Sequence, residues 1–418
     1  MIKRLLILAM SFELSALSFA SEPVTVVFRH GKVSGFEMTF RKLLDRFEAA
    51  HPGIKVREET LPWDPGQQHQ LYAINLESRS DLFDVMGLDI VWVAEFGRAG
   101  WARELSDLWP VSERAAFLPS TVEAATYQGR LYAVPWFTDS GLLYYRKDLL
   151  EKYGLAVPKT WDELAAAART VLDGEKDPRL TGFVWQGKQY EGLVCDALEY
   201  LQSNGVRMLD DQGRWVADPA RSAAALTFMR DLIYEKKVSP QLVLAGDEES
   251  ARQIFGNGQA VFMRNWPYAY GIYSKPGAEI AGKFGIAALP RFEGGAPAPT
   301  LGGWFLAVNG YSKHPKEAFA VAQYMASPEV QKEMFLTLAY LPTRSALYKD
   351  KELLARAPQL KVFGGFLPSA RPRPVTPFYP SLSDIMQSEF SAALAKIRSP
   401  ETAVRNIAIQ VKPILEEK

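Results

Sequence analysis

Trp266 and Trp304 stand in settings that a folding core does not usually give a tryptophan. The first lies in Arg264-Asn265-Trp266-Pro267-Tyr268, the second in Leu301-Gly302-Gly303-Trp304. Each indole has a Gly, a Pro or a charge beside it, which points to a loop or a strand end. A large flat apolar face on a stiff backbone suits a sugar ring, whose axial C–H groups are themselves apolar, while nearby polar groups take the hydroxyls. The competing reading is that both rings cap a core edge. Asp89 ends the run Gly87-Leu88-Asp89, and Asp139 sits in Trp136-Phe137-Thr138-Asp139. A carboxylate accepts hydrogen bonds from adjacent hydroxyls, and an arginine such as Arg373 donates to the same groups. The plainer alternative for each aspartate is a helix cap or a turn.

Other chemistries find little support. His30, His51, His69 and His314 are widely scattered, with no HExxH and no paired cysteines, so no metal site is expected. There is no P-loop, no GxGxxG after a strand and no nucleophile elbow. Asp84 and Asp89 suggest a carboxylate pair for glycoside hydrolysis, although two acids this close are common by chance. Cys195 is the only cysteine, which excludes an internal disulfide. Its neighbours Leu193, Val194, Ala197 and Leu198 mark it as a small buried residue rather than a nucleophile.

The elements that position these residues alternate strand and helix. Val24 to Phe28 reads as a strand, and Phe36, Phe40, Leu43, Leu44 and Phe47 line one face of a helix. Ile54 to Arg57 and Phe83 to Met86 read as further strands, the second followed by a helix through Trp92, Val93 and Phe96. Such an order predicts an α/β architecture with sheets flanked by helices. Thr160 with Glu163 forms a capping box, and Asp218-Pro219, Ser327-Pro328 and Ser399-Pro400 open later helices. Two strand-like runs, Leu131 to Pro135 and Gly141 to Arg146, read as a crossover from one domain to a second. The linker-like Gly294-Gly295-Ala296-Pro297-Ala298-Pro299 reads as a return. Asp139 and the two tryptophans then flank the crossovers, where ligands bind between α/β domains. That convergence favours the stacking reading.

Composition sets the outer bounds. The 418 residues carry 48 basic and 48 acidic side chains, so no electrostatic reason exists to expect nucleic acid or an anionic membrane as partner. The length supports two domains with sizeable cores. Lys3 and Arg4 precede an apolar stretch from Leu5 to Phe19, and Ser18-Phe19-Ala20 suits cleavage after Ala20, so residues 1–20 are expected to be a secretory signal peptide. No cysteine stands directly after that point for lipidation, the next residue being Ser21. A periplasmic protein without an anchor is expected.

Longer stretches carry a family resemblance. They are Gly141-Leu142-Leu143-Tyr144-Tyr145-Arg146-Lys147-Asp148-Leu149-Leu150-Glu151-Lys152-Tyr153-Gly154 and Gly182-Phe183-Val184-Trp185-Gln186-Gly187-Lys188-Gln189-Tyr190-Glu191-Gly192-Leu193, with the two tryptophan segments, Arg373-Pro374 and Pro377-Phe378-Tyr379-Pro380. On these the chain resembles the extracellular solute-binding proteins of ABC sugar importers, and among them the trehalose/maltose-binding type. The resemblance implies a two-lobed periplasmic-binding-protein fold with the ligand cleft between the lobes. The first lobe would comprise residues 21–135 and 300–345, the second 136–299 and 346–418. It implies no catalysis, no cofactor and no metal. The expected ligand is an α-linked disaccharide or related α-glucoside. The expected partners are the permease subunits of an importer, with the chain itself a monomer. Another small polar solute on the same scaffold, or a secreted glycosidase or lyase, are the alternatives.

Carried over residue by residue, Asp89 looks like the first-lobe carboxylate that holds sugar hydroxyls, and Asp139 looks like the carboxylate after the first crossover, with Phe137 where an aromatic residue is expected. Tyr190, Trp266, Tyr268 and Arg373 look like second-lobe contacts. Trp304 looks like a stacking residue at the second crossover, with Gly302 and Gly303 letting the backbone approach. Two positions depart from the family pattern. Phe36 falls where a carboxylate is usual, with Glu37 one place off, and His69 replaces an arginine. Both departures predict a more apolar first-lobe subsite. They also predict a preference that differs from strict trehalose/maltose recognition, and a pH-dependent affinity if His69 touches the sugar.

Overall fold

The structure, a computed structural model, describes residues 22–32 and 37–416. The expected signal peptide and Phe36 lie outside the described residues, as does the side chain of Glu37.

Two separate sheets organise the chain. The strands are β1 (Val24–Gly31), β2 (Ile54–Leu61), β3 (Val85–Asp89), the short hairpin β4 (Thr126–Tyr127) and β5 (Arg130–Leu131), β6 (Val134–Ser140), β7 (Leu142–Arg146), β8 (Thr181–Val184), β9 (Ala260–Asn265), β10 (Phe284–Ala287), β11 (Leu301–Val308) and β12 (Leu341–Pro342). The larger sheet has the order β12-β6-β11-β3-β1-β2, the smaller β10-β7-β9-β8. In the larger sheet β1 runs parallel to β2 and β3, while β11 is antiparallel to both β3 and β6. The strands are rich in β-branched and aromatic residues, and the central ones are buried on both faces, as a sheet covered by helices requires.

Each sheet has its own core. Phe28, Phe47, Leu88, Trp136 and Phe305 belong to one, and Leu143, Trp161, Phe183, Phe262 and Phe390 to the other. The chain passes between them at Gly141, which separates β6 from β7, at Thr300, just before β11, and again after β12. The first two passages are bonded to each other, Gly141 N to Thr300 O at 3.3 Å.

The helix starts follow their local signals. Thr160 and Glu163 form the reciprocal capping box, and Asp218 and Ser327 accept from the first-turn amides beside a proline. These bonds satisfy donors that a helix N-terminus otherwise leaves open.

Candidate functional site

Strand register builds one wall of a cleft between the two cores. In the larger sheet Trp304 of β11 pairs with Asp89 of β3 on one side and Phe137 of β6 on the other, and Gly302 pairs with Asp139. Four expected residues are thus brought side by side by three strands far apart in sequence. The register of β11 against β6 shifts after Trp304. Gly303 has φ +143°, and a Cβ there would lie 2.8 Å from the Phe137 carbonyl oxygen, so only glycine is accommodated. Trp304 meets Trp92 edge-on at 5.7 Å, and Phe137 stacks on Tyr340 at 4.2 Å and 8°. Both rings are therefore held by aromatic neighbours within the protein.

The opposite wall comes from the second core. Trp266 follows β9 directly, and its ring lies on the Arg264 guanidinium at 3.9 Å. Arg264 is fully buried against Glu199, with bonds of 2.9 and 2.5 Å, and Glu199 also accepts from the Thr300 amide at 3.0 Å. The platform under Trp266 is thus tied to the chain passage. The edge of the indole reaches the larger sheet, where a Cβ on Gly302 would sit 3.1 Å from the ring. The indole Nε1 donates to Glu248 at 3.2 Å, and Tyr268 donates to Glu249 at 2.8 Å.

Arg373 joins the walls. Its guanidinium donates to both Asp89 oxygens, at 2.5 and 3.2 Å, and to Glu191 at 2.7 Å. Glu191 also accepts from Tyr379 at 2.5 Å and from Ser383. The group is nearly dry, so the bidentate geometry and the extra donors offset the cost of removing the charges from water. Burial pushes the Glu191 carboxyl up, with the Arg373 charge opposing it. Burial raises the Asp139 carboxyl well above its ordinary value, and the Asp89 charge adds to the shift.

Asp89, Phe137, Asp139 and Gly303 line this cleft, as do Trp266, Tyr268, Trp304 and Arg373. The cleft spans about 910 Å³ counting its open mouth. Tyr190 and His69 are not among its lining residues. Tyr190 stands behind Glu248, to which it donates at 2.6 Å. His69 turns away to Glu95, with Nε2 2.6 Å from the carboxylate, and packs on Trp92 and Phe96. Glu191, Glu248, Gln68, Trp136 and Tyr340 line the cleft without having been singled out from sequence. Glu191 adjoins Tyr190 in a motif already noted. Glu248 reads only as a first-turn acid after its helix cap Asp247.

The suggested glycosidase pair does not form. Asp84 precedes β3 and Asp89 ends it, which places them on the order of 16 Å apart along an extended chain, beyond the span such pairs use. Asp84 instead accepts from the Val27 amide and from Ser312. Among the described residues no group of ligands could hold a metal ion, and no helix is long and apolar enough to cross a membrane. Cys195 is free and buried at the floor of the cleft, and burial holds its thiol well above the usual range.

Comparison with known proteins agrees with this geometry. A probable ABC transporter-binding protein of Deinococcus radiodurans is 40% identical over 373 residues, 88% of each chain. The maltose-bound MalE3 of T. maritima is 42% identical with a TM-score of 0.88, covering 93% of this chain and 99% of that one. A solute-binding protein of Thermotoga lettingae bound with α-D-tagatose is 27% identical with a TM-score of 0.84, covering 94% of this chain and 100% of that one. The bacterial extracellular solute-binding protein family matches residues 35–332. With two sheets, two cores and a walled cleft between them, the chain belongs to that family and has its two-lobed, MalE-like fold.

Proposed function

We propose that the chain binds an α-linked disaccharide or related α-glucoside in the cleft between its lobes and delivers it to the membrane-spanning subunits of an ABC importer. One observation carries this reading. Gln68 Oε1, Trp136 Nε1, Asp139 Oδ1 and Arg373 Nε are buried and have no hydrogen-bond partner among the described residues, and all four residues line the same cleft. A buried polar atom left unpaired costs about 1–3 kcal/mol, so such a cluster marks where a ligand supplies the partners. Acceptors and donors stand together, which suits hydroxyls, since each hydroxyl both donates and accepts. The remaining wall is aromatic, which suits the apolar faces of sugar rings. The maltose held by a protein 42% identical over almost the whole chain supports the α-glucoside.

The lobes would be residues up to Ser140 with β11 to β12, and the intervening and C-terminal segments. The mature protein would act outside the cytoplasm, as the family description and the apolar N-terminus suggest. A thermal-shift screen with maltose, trehalose, tagatose and ribitol tests the reading, because a ligand bound only by the folded state raises the unfolding temperature. The disaccharides should stabilise most, and chromatography should recover them unchanged. Stabilisation by tagatose or ribitol alone would move the assignment to another polar solute. Cleaved products would make the chain an enzyme.

A further inference from the structure

Two of the four unpartnered atoms belong to residues outside the site expected from sequence, and both gather around the end of β1. Gln68 lies on the helix Pro65–Glu77 and is fully buried. Its Nε2 donates to the Trp63 carbonyl oxygen at 3.2 Å. A carbonyl oxygen only accepts, so this bond fixes which way the amide points and leaves Oε1 as the free acceptor. The amide packs on the backbone of Gly31, where a Cβ would lie 2.5 Å from Nε2. Trp136 lies on β6, and its Nε1 can only donate. Its ring is held by Phe28, His30 and Phe40, at 6.0, 6.3 and 5.6 Å between centroids. The nearby His30 does not serve either atom, because its ring nitrogens are engaged with the Gly31 carbonyl at 2.7 Å and with Glu58 at 3.0 Å.

We propose that Gln68 and Trp136 are specificity residues of the first-lobe subsite, an uncharged acceptor and an uncharged donor that read the hydroxyls of a neutral sugar ring. The inference rests on the sugar reading of the cleft and deepens it. It also relocates the polar contact by one residue. His69 is committed to Glu95 and to the Trp92 and Phe96 rings, while its neighbour Gln68 faces the cleft. Both side chains are held in place by packing, so they discriminate by position rather than by charge. A sugar lacking the matching hydroxyl would leave them unpaired, and that penalty is a strong source of selectivity.

The test titrates maltose, trehalose and their monodeoxy derivatives into the full-length mature protein and into three variants, with circular dichroism to check the fold. Gln68→Met keeps length and removes the acceptor. Trp136→Phe keeps the aromatic packing and removes the donor. Each should weaken binding of the parent sugar about tenfold. Against one monodeoxy sugar that loss should vanish, because the partner hydroxyl is already gone. A merely structural role would weaken every analogue alike. His69→Ala should leave affinity unchanged. The two positions are tested separately, so a variant that fails to fold leaves the other decisive. Parent-sugar affinity that survives both substitutions, or a loss equal across all deoxy sugars, overturns the inference while the sugar reading stands. No binding of either disaccharide by the unaltered protein overturns the sugar reading and this inference with it.

Discussion

Asp139 is a carboxylate that the fold buries without pairing. One oxygen has no partner among the described residues, the Asp89 charge adds to the effect of burial, and the Arg264 charge opposes it. Its folded pKa therefore lies above its unfolded value, and the folded state holds the proton more tightly. Stability must then fall as pH rises from the unfolded carboxylate pKa through the raised folded one. Asp139→Asn should flatten that fall and raise the ligand-free unfolding temperature at neutral pH, while weakening sugar binding. Melting curves of both proteins against pH, without sugar, check this. Parallel curves would mean that folding does not raise the Asp139 pKa. At this scale the sequence was informative where a residue type clashed with its setting. Trp266 and Trp304 stood out beside Gly and Pro, and both line the cleft. Glu191 and Glu248 did not stand out, since acids in a helix's first turn are ordinary. Gln68 was hidden beside a histidine that drew attention as a departure from a family pattern.

Strands and turns place these residues, and Gly303, next to the register shift of β11 on β6, is the most exacting position among them. Gly303→Ala forces a Cβ to within 2.8 Å of the Phe137 carbonyl at a φ of +143°. The cost should be about 1–3 kcal/mol, measured by urea unfolding without sugar, and Trp304 would lose its register beside Asp89. A variant as stable as the parent would show that the strand relaxes freely there. Local elements were legible from sequence because their causes are local. The capping box at Thr160 and the Asp218-Pro219 start depend on residues within one turn. Sheet order was not legible in the same way. The insertion of β11 between β3 and β6 joins residues more than 160 positions apart, and no short pattern encodes which strand accepts it.

The two cores meet through few chain passages, and that sets how the whole molecule can move. Glu199 holds the Thr300 amide, Gly141 bonds to Thr300, and the Arg371 and Leu301 backbones pair beside them. We propose these passages as the hinge of a lobe closure, with contacts from both walls favouring the closed state when a ligand fills the cleft. Small-angle scattering should show a smaller radius of gyration at saturating disaccharide than without it. An unchanged radius would mean that the walls are already set at their bound spacing. The resemblance in sequence anticipated the two-lobed architecture, because the matching motifs run along most of the chain.

Calorimetric titration of maltose and trehalose into the unaltered protein and into the double variant Trp266→Ala/Trp304→Ala tests the central claim most directly. Each indole removed takes away on the order of 1–3 kcal/mol of apolar and stacking contact. At least one disaccharide should bind the unaltered protein, and the folded double variant should bind it more than about a hundredfold more weakly. Absence of binding to the unaltered protein, or equal affinity in the double variant, would contradict a sugar held between these two walls.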